Sequence, residues 1–483
     1  MDQPLYEQVA TQIEKQIIEG TFLPNARIPS LRKSSKQFNV SIATVMQAFS
    51  LLEDRGLIKA RPQKGYFVQS NQPTAETAHI APKKYDGHMH LLLNQLLHAS
   101  QDKNIAPFGA AIPHSDFLPL KQLQRSVVRL MRAEPEICST YEFTPGSLDL
   151  RRQIAIRMLD TGCRLQTDDI TITLGCQNAI MLALQATTQP GDTIAIESPA
   201  YHGVLQAIEV LHLKAIEIPC SETLGINLQQ LEHAAQQWKI KACIVTPNNQ
   251  NPTGATLSRQ ARADLLRIVN QYDIALIEDD VYGELGYQDK RENALKANDT
   301  AGRVIYCSSF SKSIAPGFRV GWIVGGRYQD KIEHYAYVQS LAIPTVTQIA
   351  IAHFLEHGAY DRHLRKTRQI YQTNLIRCQN LVLEAFPTGT KVSQPTGGFL
   401  LWVTLPDTVD AMQLYQEALA QKIGLLPGLA FSLSNQYAHH LRLNYAVLWD
   451  EKNLQALLEL GSLVHSLEND VLTDNDIYQH SPT

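Results

Sequence analysis

Short runs rich in β-branched residues alternate with stretches of helical apolar spacing from about residue 105 onward. The runs are DITITLG, DTIAIE, KACIVT, IALIEDD, RVIYCSS and VGWIVGG. Strands that alternate with helices in this way are typical of an α/β domain with a mainly parallel sheet. From about residue 345 the order changes to helical patterns followed by the strand-like segments GFLLWVTL and HLRLNYA, which predicts a smaller α+β subdomain.

Polar side chains follow several of these predicted strands directly. Asp279 ends the run IALIEDD, with Tyr282 three residues later, and Asn251 lies in the loop PNNQNPTG. Lys312 follows the run RVIYCSS in the serine-rich segment SSFSK. Since ligands bind outside the carboxyl ends of strands in open α/β sheets, we expect these groups to meet at one edge of the sheet.

Pyridoxal 5′-phosphate is a ligand that needs side chains of these types. A lysine must form a Schiff base with its aldehyde, and a carboxylate must keep its ring nitrogen protonated so that the ring withdraws electrons. Lys312 and Asp279 would supply these groups, and Asn251 with Tyr282 would hydrogen-bond the ring hydroxyl oxygen. Each residue taken singly is explained as well by a solvated lysine, a helix cap or a turn, but their joint occurrence in this order favours the cofactor.

Two arginines and a serine complete this predicted constellation. Ser309 and Arg319 would hold the phosphate, together with the backbone amides of the turn at Gly175 that leads from a strand into a helix. Arg442, in HLRLNYA, would bind a substrate carboxylate in a bidentate arrangement. The sequence thus predicts a site for a phosphorylated cofactor and for an amino compound that carries a carboxylate.

Residues from about 105 to 465 resemble the class I/II aminotransferases, which are fold-type I pyridoxal-phosphate proteins. The resemblance is carried by YEFTPGSLDLRRQIA, TLGCQNAI, ESPAYHG, TPNNQNPTG, IEDDVYGE, SSFSKSIAPGFRVGW, GGFLLW and LRLNYA. It implies that Lys312 is the Schiff-base lysine and Asp279 the partner of the ring nitrogen, while Arg442 and Asn251 contact the substrate. The residues implied to bind the cofactor are Gly175, Cys176, Gln177, Tyr201, Asn251, Asp279, Tyr282, Ser309, Ser311, Lys312 and Arg319.

The resemblance also implies a homodimer in which Tyr141 reaches the phosphate of the neighbouring subunit, while Tyr201 stacks on the pyridine ring. Two positions depart from the family pattern. Ala111 stands where family members usually have the glycine of a Gly-x-Pro, so a methyl group is expected to narrow the substrate side. Cys176 stands where a serine or threonine hydroxyl is common, which removes a good donor from the phosphate loop.

Residues 4–69 have the pattern of a winged helix-turn-helix. Three helical segments, PLYEQVATQIEKQIIEG, SLRKSSKQF and SIATVMQAFSLLEDRG, precede the hairpin-like LIKARPQKGYFVQ. In the third helix, Ile42, Val45, Phe49 and Leu52 are expected to form one apolar stripe. Residues 1–70 contain nine Lys or Arg and six Asp or Glu, a net +3 in a chain of net charge −4. A basic head on an acidic body indicates binding to a polyanion.

This head segment resembles, over its whole length, the DNA-binding domain of GntR-type regulators. The helix that begins near Ser41 would enter the major groove of double-stranded DNA. The residues implied to contact DNA are Arg27, Arg32, Lys33, Ser41, Thr44, Lys64 and Gly65. The family often has an arginine directly after this serine, where the chain has Ile42, so base readout is expected from other residues. The alternative is a head that serves for dimerisation or is only a remnant domain.

A winged-helix head, a linker over residues 70–104 and an aminotransferase-like body make the arrangement of MocR-type regulators. This resemblance implies a transcriptional regulator whose body senses pyridoxal 5′-phosphate or an amino compound. The alternative function is an aminotransferase that acts on an amino acid and makes little use of its head. An acidic tail is expected over residues 466–483.

The seven cysteines are scattered, with no CxxC pair and no metal-like spacing. The N-terminal segment lacks the apolar core of a signal peptide, and no apolar run is long enough to span a membrane. We therefore expect reduced thiols, no metal site and a cytoplasmic location.

Overall fold

The structure is a computed structural model of the chain. It describes residues 4–18, 26–54, 57–61, 65–68, 81–84, 95, 98, 101–356 and 358–479. The chain forms two compact units, residues 1–79 and residues 80–483, which are called the head and the body.

The head has the helices and the hairpin that its sequence predicts. Its helices are α1 (Leu5–Ile18), α2 (Leu31–Phe38) and α3 (Ile42–Asp54). The strands β1 (Ile58–Arg61) and β2 (Gly65–Val68) pair antiparallel. Ser30 caps α2 through a bond from the backbone N–H of Lys33, as expected for a serine at this position. The prediction of a winged helix-turn-helix is confirmed.

The apolar core of the head packs one face of α3 against α1 and the hairpin. Val45, Phe49 and Leu52 are buried, together with Ile13 of α1. Ile42 does not belong to this core, because 44% of it is exposed to solvent. The predicted stripe was wrong at this residue for a geometrical reason. Ile42 is the first residue of α3, so no preceding turn of the helix covers it, and it lies at the end of the stripe, three residues before Val45.

The body is built on a mixed sheet whose central strands are parallel. Its strands are β3 (Lys83–Lys84), β5 (Thr171–Thr173), β6 (Thr193–Ser198), β7 (Lys214–Ser221), β8 (Gly225–Ile226), β9 (Ile240–Val245), β10 (Ala275–Asp279), β11 (Val304–Ser309) and β12 (Gly321–Val324). They lie in the order β3-β7-β6-β9-β10-β11-β12-β5, with β8 paired to β7. The pairs among β7, β6, β9, β10 and β11 are parallel, and β12 is antiparallel to both of its neighbours. The predicted α/β architecture is confirmed.

The strands of this sheet are apolar on both faces because helices cover each side. Ile194 and Ile277 contribute to the core on one side, whereas Ala195 and Leu276 face the core on the other. The body helices are α4 (Leu120–Ala133), α5 (Leu148–Met158), α6 (Cys176–Thr187), α7 (His202–Val210), α8 (Leu228–Gln237), α9 (Arg259–Gln271), α10 (Gln329–Ser340), α11 (Thr345–Glu356), α12 (Ala359–Ala385), α13 (Ala411–Ala420) and α14 (Glu451–Gln479).

A second, antiparallel sheet follows the long helix α12. Its strands are β13 (Lys391–Val392), β14 (Leu400–Thr404), β16 (Leu426–Pro427) and β17 (His440–Asn444), in the order β13-β14-β17-β16. The short strands β4 (Ala106–Pro107) and β15 (Ile423–Gly424) pair separately. Helix first and strands later is the α+β order that the sequence predicts for this region.

Two regions that the sequence describes as a linker and an acidic tail contain regular structure. Lys83 and Lys84, inside the predicted linker, pair with β7 and extend the large sheet. Most of that predicted linker lies outside the described residues. Helix α14 continues to Gln479, so the backbone is helical through most of the predicted acidic tail.

Candidate functional site

The carboxyl ends of five strands point to one edge of the large sheet. Strands β6, β9, β10 and β11 are parallel, and β5 has the same direction because it and β11 both lie antiparallel to β12. The segments that follow these strands carry the polar residues singled out in the sequence. Strand direction therefore brings together groups that are far apart along the chain.

Lys312 follows β11 and is half-buried at this edge. Its Nζ donates a hydrogen bond to the backbone carbonyl of Ala111, at 2.7 Å. Burial, together with the positive charge of Arg442, lowers the pKa of Lys312 to about 8, although the charge of Asp279 opposes the shift. The amine is thus much easier to deprotonate than an ordinary lysine, as a nucleophilic lysine requires.

Asp279 is the last residue of β10 and is buried. Its Oδ1 accepts hydrogen bonds from the Cys176 thiol and from the backbone N–H of Val281, each at 3.2 Å. Among the described residues no donor reaches Oδ2. Burial raises the pKa of Asp279 to about 6, so the group is still mainly ionised at neutral pH. It presents one open carboxylate oxygen to the site.

The neighbouring Asp280 points away from the site into a buried polar network. Its carboxylate accepts hydrogen bonds from Asn248 Nδ2 and Tyr306 Oη, both at 2.6 Å, and from the guanidinium of Arg291. These bonds hold the end of β10 against the two strands beside it. Asp280 and its partners were missed in the sequence, since a second aspartate after a strand has no signal of its own.

Arg442 lies on β17 of the small sheet, with 1% of it exposed. Its Nη1 donates to Asn251 Oδ1 at 3.0 Å, and its Nη2 donates to the carbonyl of Gly109. Burial lowers the pKa of Arg442 to about 10. Its Nε is buried without a hydrogen-bond partner among the described residues. A buried guanidinium with a free N–H is costly unless a ligand supplies an acceptor.

The segment from Gly109 to Ile112 is held by side chains of this site. Lys312 and Arg442 bond to it, and Asn444 Nδ2 donates to the carbonyls of Ala110 and Ile112, at 2.9 and 2.8 Å. Asn444 was another residue missed in the sequence. It stands two residues after Arg442 in LRLNYA and therefore points to the same face of β17.

The groups expected to hold a phosphate meet around Arg319 and Gly175. Arg319 donates to Ser311 Oγ at 3.3 Å and to the carbonyl of Leu174 at 2.8 Å. Gly175 has φ +84°, and a Cβ at this position would lie 2.5 Å from Arg319 Nη2. Helix α6 begins directly after this glycine and has no side-chain cap, which leaves its first backbone amides for a ligand. Ser309 is buried beside them, and its Oγ accepts from the N–H of Ser311.

The aromatic residues at this edge keep their hydroxyl groups free. Among the described residues, neither the Tyr201 nor the Tyr282 hydroxyl has a hydrogen-bond partner. Burial raises the pKa of both, that of Tyr201 to about 12, so both phenols are protonated donors. His202 lies beside Tyr201, with 4.6 Å between ring centroids. Burial lowers the pKa of His202 to about 3, and its Nδ1 has no partner in the described part of the chain. The sequence did not mark His202 as a candidate.

Three predicted cofactor residues have contacts that their sequence did not indicate. The Cys176 thiol points to Asp279, so only its backbone amide remains for a phosphate. The Gln177 side chain donates to the carbonyl of Gly203 at 2.8 Å. Tyr141 is 68% exposed, and its ring contacts that of Phe143 rather than the groups around Lys312. A role for Tyr141 in a neighbouring subunit stays a prediction.

These groups fit pyridoxal 5′-phosphate. The open Oδ2 of Asp279 suits a protonated ring nitrogen, and the amine of Lys312 has the lowered pKa that attachment to an aldehyde needs. The narrow turn at Gly175 beside Arg319 suits a phosphate, because a side chain at 175 would fill it. The unpartnered Nε of Arg442 suits the carboxylate of an amino compound.

The predicted DNA contacts of the head lie on its surface, apart from Lys64, which is outside the described residues. Arg32 and Lys33 are exposed on α2, and Arg27 is exposed beside the hairpin, with its guanidinium against Gly65. Ser41 caps α3, because the N–H of Thr44 donates to its Oγ at 3.1 Å. The hydroxyls of Ser41 and Thr44 also bond each other at 2.8 Å. Both remain accessible at the start of the helix.

The described residues contain neither a metal-binding cluster nor a membrane-spanning helix. No group of three or more His, Cys, Asp or Glu in these ranges is arranged to hold a metal ion. None of the helices within the same ranges is long and apolar enough to cross a membrane.

Comparisons with known proteins agree with the two units. Residues 116–460 match the family model of aminotransferase class I and II, and residues 5–68 match that of the gntR family of bacterial regulatory proteins. The chain is 37% identical to the HTH-type transcriptional regulator YdcR of Escherichia coli over 95% of this chain and 98% of that protein. It is 38% identical to the HTH-type transcriptional regulator YjiR of Escherichia coli, with the same coverage of both chains.

A solved structure is similar to the body alone. The kynurenine aminotransferase of Pyrococcus horikoshii, determined in complex with PMP, is 30% identical with a TM-score of 0.71. The match covers 78% of this chain and 94% of that one. The matches to YdcR and YjiR extend over both units of this chain, whereas the match to the kynurenine aminotransferase corresponds to the body. The chain therefore belongs to the GntR-family helix-turn-helix regulators of the MocR type, in which a class I and II aminotransferase domain follows the head.

Proposed function

We propose that this protein regulates transcription by binding operator DNA through its head and by sensing pyridoxal 5′-phosphate together with an amino compound in its body. The observation that carries the proposal is the convergence of Lys312, Asp279, Asn251 and Arg442 at one sheet edge, in a chain with a GntR-type head. A homodimer with two heads is part of the proposal, because paired half-sites need two recognition helices.

When bound, pyridoxal 5′-phosphate supplies an aldehyde and an electron-withdrawing ring. In the proposed site, Lys312 Nζ is the attachment point and holds or releases a proton there. Asp279 Oδ2 accepts the hydrogen bond of the ring nitrogen. Asn251 and Tyr282 hold the ring hydroxyl oxygen, and Tyr201 covers the ring.

The phosphate is assigned to the opposite end of the same cluster. Arg319 is its charged partner, aided by Ser309, Ser311 and the first amides of α6. The positive end of that helix favours an anion at this place.

The sensed compound is proposed to be an amine that carries a carboxylate. Such a carboxylate would compete with Gly109 and Asn251 for the guanidinium of Arg442. Attachment to the cofactor would draw Lys312 away from the carbonyl of Ala111, and an amine that replaced it there would release Lys312 to bond that carbonyl again. The ligand would therefore exchange the bonds of the segment from Gly109 to Ile112. This segment follows β4, and β4 comes directly after the predicted linker in the chain. A change in the hydrogen bonds of the segment could therefore be passed along the linker to the head.

A catalytic aminotransferase is the second candidate function. Arg442 favours it, because a sensor of the cofactor alone has no need of a buried arginine beside Asn251. In that reading Lys312 Nζ moves the proton of the substrate α-carbon. Amino-group transfer from amino acids to 2-oxo acids, measured on the purified full chain, tests this function independently of DNA binding.

The lowered pKa of Lys312 predicts how cofactor attachment depends on pH. Only the neutral amine attacks an aldehyde, and burial brings its pKa to about 8. The attachment rate of the cofactor-free protein should rise with pH and level off above about pH 8, whereas a lysine in a peptide continues to gain up to about pH 10.4. The rate is followed by visible absorbance after mixing with pyridoxal 5′-phosphate. An attachment rate that keeps rising up to about pH 10.4, as for a lysine in a peptide, would contradict the buried environment assigned to Lys312.

DNA binding by the head is tested with Arg32→Ala. Because Arg32 is exposed on α2, its removal should leave the fold intact and weaken binding. If it neutralises one phosphate, the slope of log K against log salt should fall by roughly 0.9. Fluorescence anisotropy with the DNA upstream of the gene, at several salt concentrations, measures both quantities.

The matched control is Arg259→Ala, which removes an exposed arginine from the first turn of a body helix. It should bind DNA like the unaltered chain. Equal losses in both variants would indicate a general charge effect, and no binding by the unaltered chain at low salt would refute the regulator.

A further inference from the structure

We propose that the recognition helix α3 reads thymine methyl groups in the major groove through Ile42 and Met46, so that the operator half-site is rich in T·A pairs. This inference rests on the proposed DNA binding of the head and adds the class of base that it recognises. It is carried by the outward face of α3 and by the charges around it.

The outward face of α3 carries two large apolar side chains without a packing role. Ile42 is 44% exposed and Met46 is 53% exposed, and they stand one helical turn apart. Val45, Phe49 and Leu52 of the same helix form the core of the head together with α1, and Ile42 and Met46 lie outside that core. Exposed apolar residues that neighbour each other on one helix mark a contact surface more often than scattered ones do.

The rest of that face is uncharged. Ala43, Gln47 and Ser50 are exposed beside the two apolar residues. Helix α3, with the sequence IATVMQAFSLLED, contains no lysine or arginine. A guanine is usually read in the major groove by an arginine or a lysine, and α3 offers neither.

The positive charges of the head surround this helix rather than belong to it. Arg32, Lys33 and Lys36 are exposed on α2, which precedes α3, and Arg27 and Lys59 are exposed at the hairpin that follows. An apolar helix face within a basic rim fits DNA, whose backbone is anionic while its groove presents methyl groups. A second copy of the head would bring an equal set of positive charges against this rim.

The chemistry of the groove then selects the base. The C5 methyl group of thymine is the apolar group that a base pair displays in the major groove, and aliphatic side chains contact it. Gln47, one residue after Met46, has the amide that pairs with adenine N6 and N7. The start of a recognition helix is the part that reaches the base edges, and Ile42 lies there directly after the Ser41 cap.

The test is a cycle between protein variants and DNA that lacks the methyl groups. The full chain is used to select a binding duplex from a random double-stranded DNA library. That duplex is then made again with deoxyuridine in place of thymidine, which removes each C5 methyl group and leaves base pairing unchanged. Affinities of both duplexes are measured for the unaltered chain, for Ile42→Ala, for Met46→Ala and for Leu5→Ala, an exposed leucine on α1 that serves as the control.

The expected result is a loss of about fourfold for each contacted methyl group, the ratio for burying one methyl-sized group. Ile42→Ala and Met46→Ala should weaken binding to the thymidine duplex and reduce the penalty of deoxyuridine. Leu5→Ala should keep the full penalty. Ile42→Arg introduces the arginine that is common in the family at this position. Duplexes selected with this variant should contain more guanine.

The outcomes separate this inference from the function on which it rests. Equal affinity for the two duplexes, or an equal deoxyuridine penalty in all variants, overturns the reading of thymine and leaves DNA binding intact. Failure of the unaltered chain to bind any duplex at low salt overturns the proposed function itself. If Ile42→Ala lowers the oligomeric state in sedimentation while leaving affinity unchanged, the face is a contact between heads, and the inference fails.

Discussion

Replacing Lys312 with alanine is expected to abolish covalent attachment of pyridoxal 5′-phosphate. The purified variant should lack the visible absorbance of the bound cofactor, and borohydride should fix no cofactor to the chain. The physical reason is that, in the part of the chain that the structure describes, no other lysine acts on this group of charges. The charges of Asp279, Arg319 and Arg442 all act on this one amine, which fits a single reactive group among them.

The loss should be chemical rather than structural. Lys312 contributes one hydrogen bond to the carbonyl of Ala111, and a bond from a charged group contributes roughly 1.5–3 kcal/mol to stability, of which the cost of burying the amine offsets a part. Urea unfolding of the variant should therefore show a small change in the free energy of unfolding. Lys331→Ala is the matched control, since this lysine is exposed on α10. Retention of the absorbance and of the reducible label by Lys312→Ala would refute the assignment.

Replacing Arg442 with alanine is expected to cost roughly 2–5 kcal/mol in the binding of a carboxylate-bearing amino compound. This corresponds to a loss of about 30-fold to several thousand-fold in affinity. The effect is large because Arg442 is buried and its Nε has no partner in the described part of the chain. The affinity is measured from the spectral change of the cofactor-loaded protein during titration with amino acids.

A matched pair of ligands separates carboxylate recognition from general damage to the site. An amino acid and the amine formed by its decarboxylation share the side chain and differ in the carboxylate. Arg442→Ala should weaken the first and leave the second nearly unchanged. Arg442→Lys keeps a positive charge but loses the bidentate geometry, so an intermediate loss is expected. Equal losses for both ligands would mean that Arg442 supports the fold of the site and does not read the carboxylate.

The local elements of both units were predictable because they depend on short-range patterns. Helical spacing in the head marks the helices, and the alternation of strand and helix marks the large sheet. Ile42 is the instructive failure. Its spacing from Phe49 matches a helical stripe, but its exposure depends on whether another element covers the start of α3, and tertiary contacts decide that.

The candidate site also has features that were predictable from the sequence and features that were not. Lys312 and Asp279 were predictable because each follows a β-branched run, and strand direction then sets their meeting place. The contact of the Cys176 thiol with Asp279 Oδ1 was not, since the two residues are 103 positions apart and meet only when α6 packs against the end of β10. Because of this contact, Oδ1 of Asp279 is occupied and Oδ2 is left for a ligand.

The sequence by itself determined the order of the units, the class of each fold and the residue types available for chemistry. Those properties follow from periodicity and from motifs, which are local along the chain. The tertiary structure decided which of those groups share an environment. It set the pKa of Lys312 through burial and the charge of Arg442, and it turned Asp280 away into a buried network. Electric fields and desolvation depend on distances in space, and chain spacing does not contain those distances.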